Sequence, residues 1–199
     1  MLSAQSQMID KALDLIVRKL NESLKVAFSS TDDLAVLSSI ADKDGKRPAV
    51  TDNKLSIFVC NIAQQVNSRA VTSTADGGAR LVERSTPIFL NVDFLVASNF
   101  APDRYVQSLK VLSATIEFFQ RYPVFNASTS PDIPAALNGM TVEMITMPPE
   151  HLNQLWAILG SSYLPSVQYR LRSVSIDSGA VTDTLPVITK PRKSIWSRL

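Results

Sequence analysis

Residues 87–98, PIFLNVDFLVAS, limit the possible folds of this chain more than any other stretch. Ile88, Leu90, Val92, Phe94 and Val96 recur at period two, which places all five on one face of a β-strand. Asn91 and Asp93 fall on the opposite face, which must then be partly wet or paired. The same two polar residues break the longest apolar run, so it is no membrane span. A strand of this kind needs a sheet around it and a layer of helix over its apolar side.

The rest of the chain supplies both. Ile9, Leu13, Ile16, Leu20 and Leu24 step by four and three and predict a long amphipathic helix, with Asp10, Asp14, Arg18, Lys19 and Glu22 on its wet side. Ser29 to Asp33 ends it with turn-forming residues. Leu34 to Ile40 reads as a short strand. Lys54 to Ala63 reads as a second strand, apolar on both faces, and so covered on both sides by helices or by a neighbouring subunit.

Asp103 is the expected N-cap of a second helix from about Arg104 to Arg121, with Tyr105, Leu109, Leu112, Ile116 and Phe119 as its buried stripe. Met140 to Met147 predicts a strand with Val142 and Met144 on one face. Pro149 and Glu150 open a third helix that buries Leu152, Leu155, Trp156 and Leu159 and stops at Gly160. Val167 to Ile176 is the last expected strand, with Val167, Tyr169 and Leu171 inward and Gln168, Arg170 and Arg172 outward.

Two loops interrupt this order, one from Asn67 to Ser85 and one from Asn126 to Asn138. The first is long enough to imply a functional segment, or one ordered by a partner. The resulting class is α+β: a single domain over residues 1–178, with a mixed sheet and helices packed mainly on one face, and an extended basic tail over 179–199. The length of 199 residues fits one sizeable domain.

Chemistry is sparse. The single histidine, His151, sits in a helical first turn and reads as a surface residue. The single cysteine, Cys60, lies in an apolar strand and reads as a buried free thiol in a reducing compartment. Gly77-Gly78 has no Lys-Ser or Lys-Thr after it and opens no helix, so it is not a phosphate loop. No Gly-x-Ser-x-Gly elbow occurs. These observations point away from catalysis and give no reason to expect a metal or cofactor. Twenty cations against eighteen acids are too balanced to predict nucleic acid as the main partner. The start has no secretion signal pattern, which leads to the expectation of a soluble protein made in the cytoplasm.

Interaction surfaces are the better candidates. Lys190, Arg192, Lys193 and Arg198 make the tail basic. The tail reads as a solvated segment or as one that docks on a neighbouring protein, with Trp196 favouring docking over nucleic acid because an indole is costly to leave wet. Arg170 and Arg172, outward on the last strand, read either as protection of a sheet edge or as partners for acids on another subunit.

Several short stretches carry a resemblance: residues 8–14 (MIDKALD), 59–62 (VCNI), 87–91 (PIFLN) leading to 98–100 (SNF), 116–120 (IEFFQ), 152–156 (LNQLW) and 164–170 (LPSVQYR). In this order and spacing the chain, from about Met8 to Asp177, resembles the Pvc16 N-terminal domain family. That family includes terminator or cap proteins of extracellular contractile injection systems.

The resemblance implies a fold similar to phage tail terminators and a homohexameric ring that closes the inner tube. It also implies contact with the tube and sheath proteins, an end to tail polymerisation, and no catalytic residues. The alternative it leaves open is a head–tail neck or connector protein of a contractile-tailed phage. Neither the loop over 67–85 nor the tail beyond Asp177 carries any of the resemblance.

Overall fold

The computed structural model of the protein describes residues 8–42, 45–65, 80–84, 88–176 and 181–186. Among the described residues three α-helices, α1 (Met8–Phe28), α2 (Tyr105–Arg121) and α3 (Pro149–Ile158), accompany eight strands. Six strands form one sheet: β1 (Ala35–Leu37), β2 (Lys54–Gln64), β4 (Ile88–Asn99), β5 (Val124–Phe125), β6 (Met140–Ile145) and β7 (Ser166–Ile176). Their order across the sheet is β1-β2-β4-β7-β6-β5. Only β1 and β2 run parallel; every other pair is antiparallel, so the sheet is mixed as expected.

The alternation in 87–98 places β4 at the centre. Val92, Phe94 and Val96 are fully buried beneath α1 and α2, with Leu55, Ile57, Tyr169 and Leu171 beside them. Leu13, Ile16, Leu20 and Leu24 of α1 enter the same core. At about 2 kcal/mol for each fully buried side chain, this stripe makes α1 the main cover of the sheet. Phe94, Phe119 and Tyr169 stack or tilt against one another with ring centroids 4.5–6.1 Å apart.

On the sheet's other face Phe58, Leu95 and Ala97 bury against Ile40, Leu164 and Trp156. Trp156 is the one fully buried residue of α3, and Leu152, Leu155 and Leu159 are half-buried beside it. The two-faced apolar pattern of β2 is covered within the chain only over its first half, by α1 and α2 on one side and the short α3 on the other; from Asn61 on the strand is exposed, with Ile62 half in solvent.

The structure corrects several expectations. The buried stripe of α2 is Ser108, Val111, Leu112, Thr115, Phe118 and Phe119, one position round from the apolar stripe. Small side chains at Ser108 and Thr115 let the helix lie close on the strands, and the Thr115 hydroxyl donates to the Val111 carbonyl at 2.9 Å. Tyr105 and Leu109 are left exposed. Asp103 is not an N-cap; it lies in a 3-10 turn, Pro102–Arg104, that leads into α2.

The serine- and proline-rich stretch 126–138 is an ordered connection. It brings Ile133 and Leu137 into the main core and is pinned where Asn126 Oδ1 accepts from the amides of Ser128 and Thr129. Of the β6 pair, Val142 is buried but Met144 is 57% exposed, because the strand runs past the helices.

Two further strands, β3 (Arg80–Arg84) and β8 (Val181–Pro186), pair antiparallel as a separate ribbon. They fall where a loop and a structureless tail were expected. β8 shows that regular structure continues beyond residue 178.

Candidate functional site

The outer face of the sheet beyond α3 carries a polar row across four strands. Register sets Asn61 of β2 opposite Asp93 of β4, Asp93 opposite Arg170 of β7, and Arg170 opposite Glu143 of β6. Asp93 is an acidic residue, yet it is only 4% exposed. Burial of a carboxylate requires a partner, and Arg170 supplies one in a bidentate clasp: Nε donates to Oδ1 at 2.7 Å and Nη2 to Oδ2 at 2.9 Å. The hydrogen bonds to Asp93 hold Arg170 in its charged form against the opposing effect of burial. Asn61 Nδ2 adds a long contact to Oδ2 at 3.4 Å. Diagonally across, Arg172 donates to Glu143 through Nε at 2.6 Å, with Nη2 close to the same oxygen.

A bulge in β2 shapes this row, and a second, in β7, lies just beyond it. Between Val59 and Asn61 the β2–β4 register shifts by one residue at Cys60. Between Leu171 and Val174, β7 spends three steps where β4 spends two. The second bulge keeps both Leu171 and Val174 in the core.

Cys60 is half-buried rather than fully buried. Burial, together with the nearby Asp93 charge, pushes its thiol up to about 11. That is the reverse of an activated nucleophile. The thiol lies 3.4 Å from the Asp93 carbonyl. His151 is exposed in the first turn of α3, as expected. Among the described residues no group of three or more His, Cys, Asp or Glu side chains is placed to hold a metal.

Of the residues expected at an interface, the structure brings Arg170 and Arg172 into this row. The edge-protection reading is overturned, because β7 lies between β4 and β6 in the sheet interior. Both guanidiniums already hold acids of their own chain. Lys190, Arg192, Lys193, Trp196 and Arg198 lie outside the described residues.

The sheet's true edges are short, which limits unwanted pairing. β5 has two residues, and β1 pairs with β2 only at Leu55–Ile57. Asn21 on α1 backs β1 by donating to the Ala35 carbonyl and accepting from the Ala35 amide, both at 2.9 Å. Sequence reasoning passed over Asn21, Glu143 and Arg47. The signal for Asn21 was available, as a polar residue adjoining the apolar face of an amphipathic helix. Glu143 and Arg47 depend on strand and loop partners far away in sequence.

A profile of the Pvc16 N-terminal domain matches residues 12–190. The chain belongs to the Pvc16 N-terminal domain family. Two solved structures of this kind of fold are similar over nearly the whole chain. One is the sheath/tube terminator of a PVC extracellular contractile injection system in its extended state. It is 15% identical, with a TM-score of 0.62 over 96% of this chain and 63% of that one. The other is the tube-terminating cap of the anti-feeding prophage, 17% identical, with a TM-score of 0.55 over 96% of this chain and 60% of that one. At these identities the likeness establishes the shared fold. The chain spans about three fifths of the length of each of these proteins. Comparison with curated proteins finds no match.

Proposed function

We propose that this protein is a terminator subunit: six copies form a ring on the end of a contractile injection tube, meet the last sheath layer and stop further polymerisation. The observation that carries this reading is the fold shared over 96% of the chain with two tube terminators, joined to membership of the Pvc16 N-terminal domain family. The protein acts by binding rather than by catalysis. Its half-buried thiol is held protonated, its one histidine is exposed, and its most elaborate polar constellation is neutralised within the chain.

The ring requires heterologous contacts that close after a fixed rotation. The ribbon of β3 and β8, the half-exposed Arg172 and the basic residues Lys190, Arg192, Lys193 and Arg198 with Trp196 are the proposed contact elements. The domain through about residue 178 builds the ring body, and the residues after it dock on neighbours. Termination follows by occlusion: one side of the ring matches tube and sheath, and the other offers no matching surface for a further layer. Subunits fold in the cytoplasm and end as components of the particle.

Electron microscopy of intact particles and of particles from a gene deletion tests the reading. The expected result is a six-fold ring of this protein at the tail end away from the baseplate, and tails of uncontrolled or aberrant length without it. Particles of normal length and stability in the deletion, or a strict monomer in assembled particles, overturn it.

A further inference from the structure

At the C-terminal end of β4, the start of α2 and the loop after α3 line an open cavity of about 510 Å³. Arg47 lies in its wall. The guanidinium donates from Nε to Ser161 Oγ at 3.4 Å, from Nη1 to Asn99 Oδ1 at 3.2 Å and from Nη2 to the Ser162 carbonyl at 3.1 Å. All three acceptors are neutral, and among the described residues Arg47 has no carboxylate partner. A guanidinium has five N–H donors, so two remain.

Asn99 is itself held in place. It is buried, and its Nδ2 donates to Thr51 Oγ1 at 2.9 Å, so the acceptor that orients Arg47 is fixed. Ser108 also lines the cavity; it is 2% exposed and its hydroxyl has no hydrogen-bond partner among the described residues. It lies in the first turn of α2, a helix of 17 residues whose N-terminal end favours negative charge. The rim is aromatic and open: Tyr105 and Tyr163 are 54% and 60% exposed, and Val106 and Leu109 extend an apolar strip along α2.

We propose that this cavity takes the carboxylate of an acidic, apolar-flanked segment of a protein partner. Arg47 clasps the carboxylate with its two remaining donors, Ser108 and the end of α2 add favourable polarity, and the flanking apolar residues pack on Tyr105 and Tyr163. A part-buried arginine beside two exposed tyrosines has the composition of an interface hot spot. Arg47 is the one charged residue among the described lining, which suits a monoanionic carboxylate better than a phosphate. The site does not depend on the capping role and is tested on the isolated protein.

The probe is the blocked pentapeptide Ac-Ala-Leu-Glu-Leu-Ala-NH2, titrated into the full chain while amide and arginine Nε resonances are followed by NMR. The expected result is saturable shifts centred on Arg47, Tyr105, Ser108 and Tyr163. The glutamine counterpart of the peptide and the R47Q variant should each bind about fivefold more weakly, as loss of one partly exposed charge-assisted contact requires. Because Arg47 also ties the 160–162 loop to β4 and Tyr163 packs on the buried Trp156, Y105A provides a second variant. It should keep the melting temperature of the parent and still weaken the peptide.

Absence of saturable shifts overturns the proposal. So does equal binding of the glutamate and glutamine peptides. Tighter occupation of the same resonances by inorganic phosphate also overturns it and assigns the cavity to phosphate ligands.

Discussion

Removing Arg170 should harm this protein more than removing the charge of its partner, and the two changes together should do less damage than the first alone. In R170M, Asp93, 4% exposed in the parent, retains only the 3.4 Å contact from Asn61 Nδ2 among its side-chain partners in the described residues. Stranding a buried charge costs about 3–5 kcal/mol. Because the Arg170 side chain is 32% exposed and water can replace part of it, the lower end, about 3 kcal/mol, is expected here. D93N keeps an acceptor for Arg170 and frees a guanidinium that faces solvent and Glu143, so about 1 kcal/mol is expected. For a chain of 199 residues each kcal/mol moves the melting temperature by about 2–4 °C. R170M should then melt about 6–12 °C below the parent and D93N about 2–4 °C below. The double variant D93N/R170M buries no charge and should melt above R170M. Urea denaturation and calorimetry on all four proteins complete the cycle. Equal losses for the two single variants, or no recovery in the double variant, would refute the stranded-charge argument.

Two further tests address other parts of the structure. N21L strips both partners from the buried Ala35 amide and carbonyl; it should cost about 2–3 kcal/mol and selectively raise hydrogen exchange at Ala35, which a uniform rise across the sheet would contradict. The thiol of Cys60, raised from 9.0 to about 11, should react with Ellman's reagent far more slowly than in the unfolded chain, its thiolate population being roughly a hundredfold lower at neutral pH. The sign of the linkage follows: the unfolded chain ionises first, so this group's contribution to stability is present below pH 9.0, declines as pH rises above it and is lost by about 11. A folded-state thiol that reacts as fast as the unfolded one defeats that account.

Where local pattern and tertiary packing agree, the sequence was readable. The alternation of Ile88 to Val96, the stripe of α1 and the inward set Val167, Tyr169 and Leu171 all reappear as core or partly buried positions, apart from the half-exposed Ile88 at the strand's far end. The α2 stripe was misplaced because periodicity counts only apolar residues, whereas close packing on strands favours Ser108 and Thr115 over Tyr105 and Leu109. The role of β7 was misread because edge and interior strands share the same alternation; only pairing distinguishes them. For the same reason the β3–β8 ribbon was invisible, since its strands lie about a hundred residues apart and each is too polar or too short to announce itself. Of the candidate site, Asp93 was legible as a polar residue needing a partner, while the identity of that partner required the register.

The bulge in β2 has a genealogical consequence. Within a strand the loss of one residue ordinarily turns everything after it inside out, so such losses are rapidly eliminated. At Cys60 the arithmetic is reversed: Val59 stands opposite Phe94 and Asn61 opposite Asp93, so a chain lacking the residue between them would pair both without interruption. Relatives one residue shorter at this point could keep the same inward and outward sets, and aligning them against this chain requires a gap in the middle of a strand rather than in a loop.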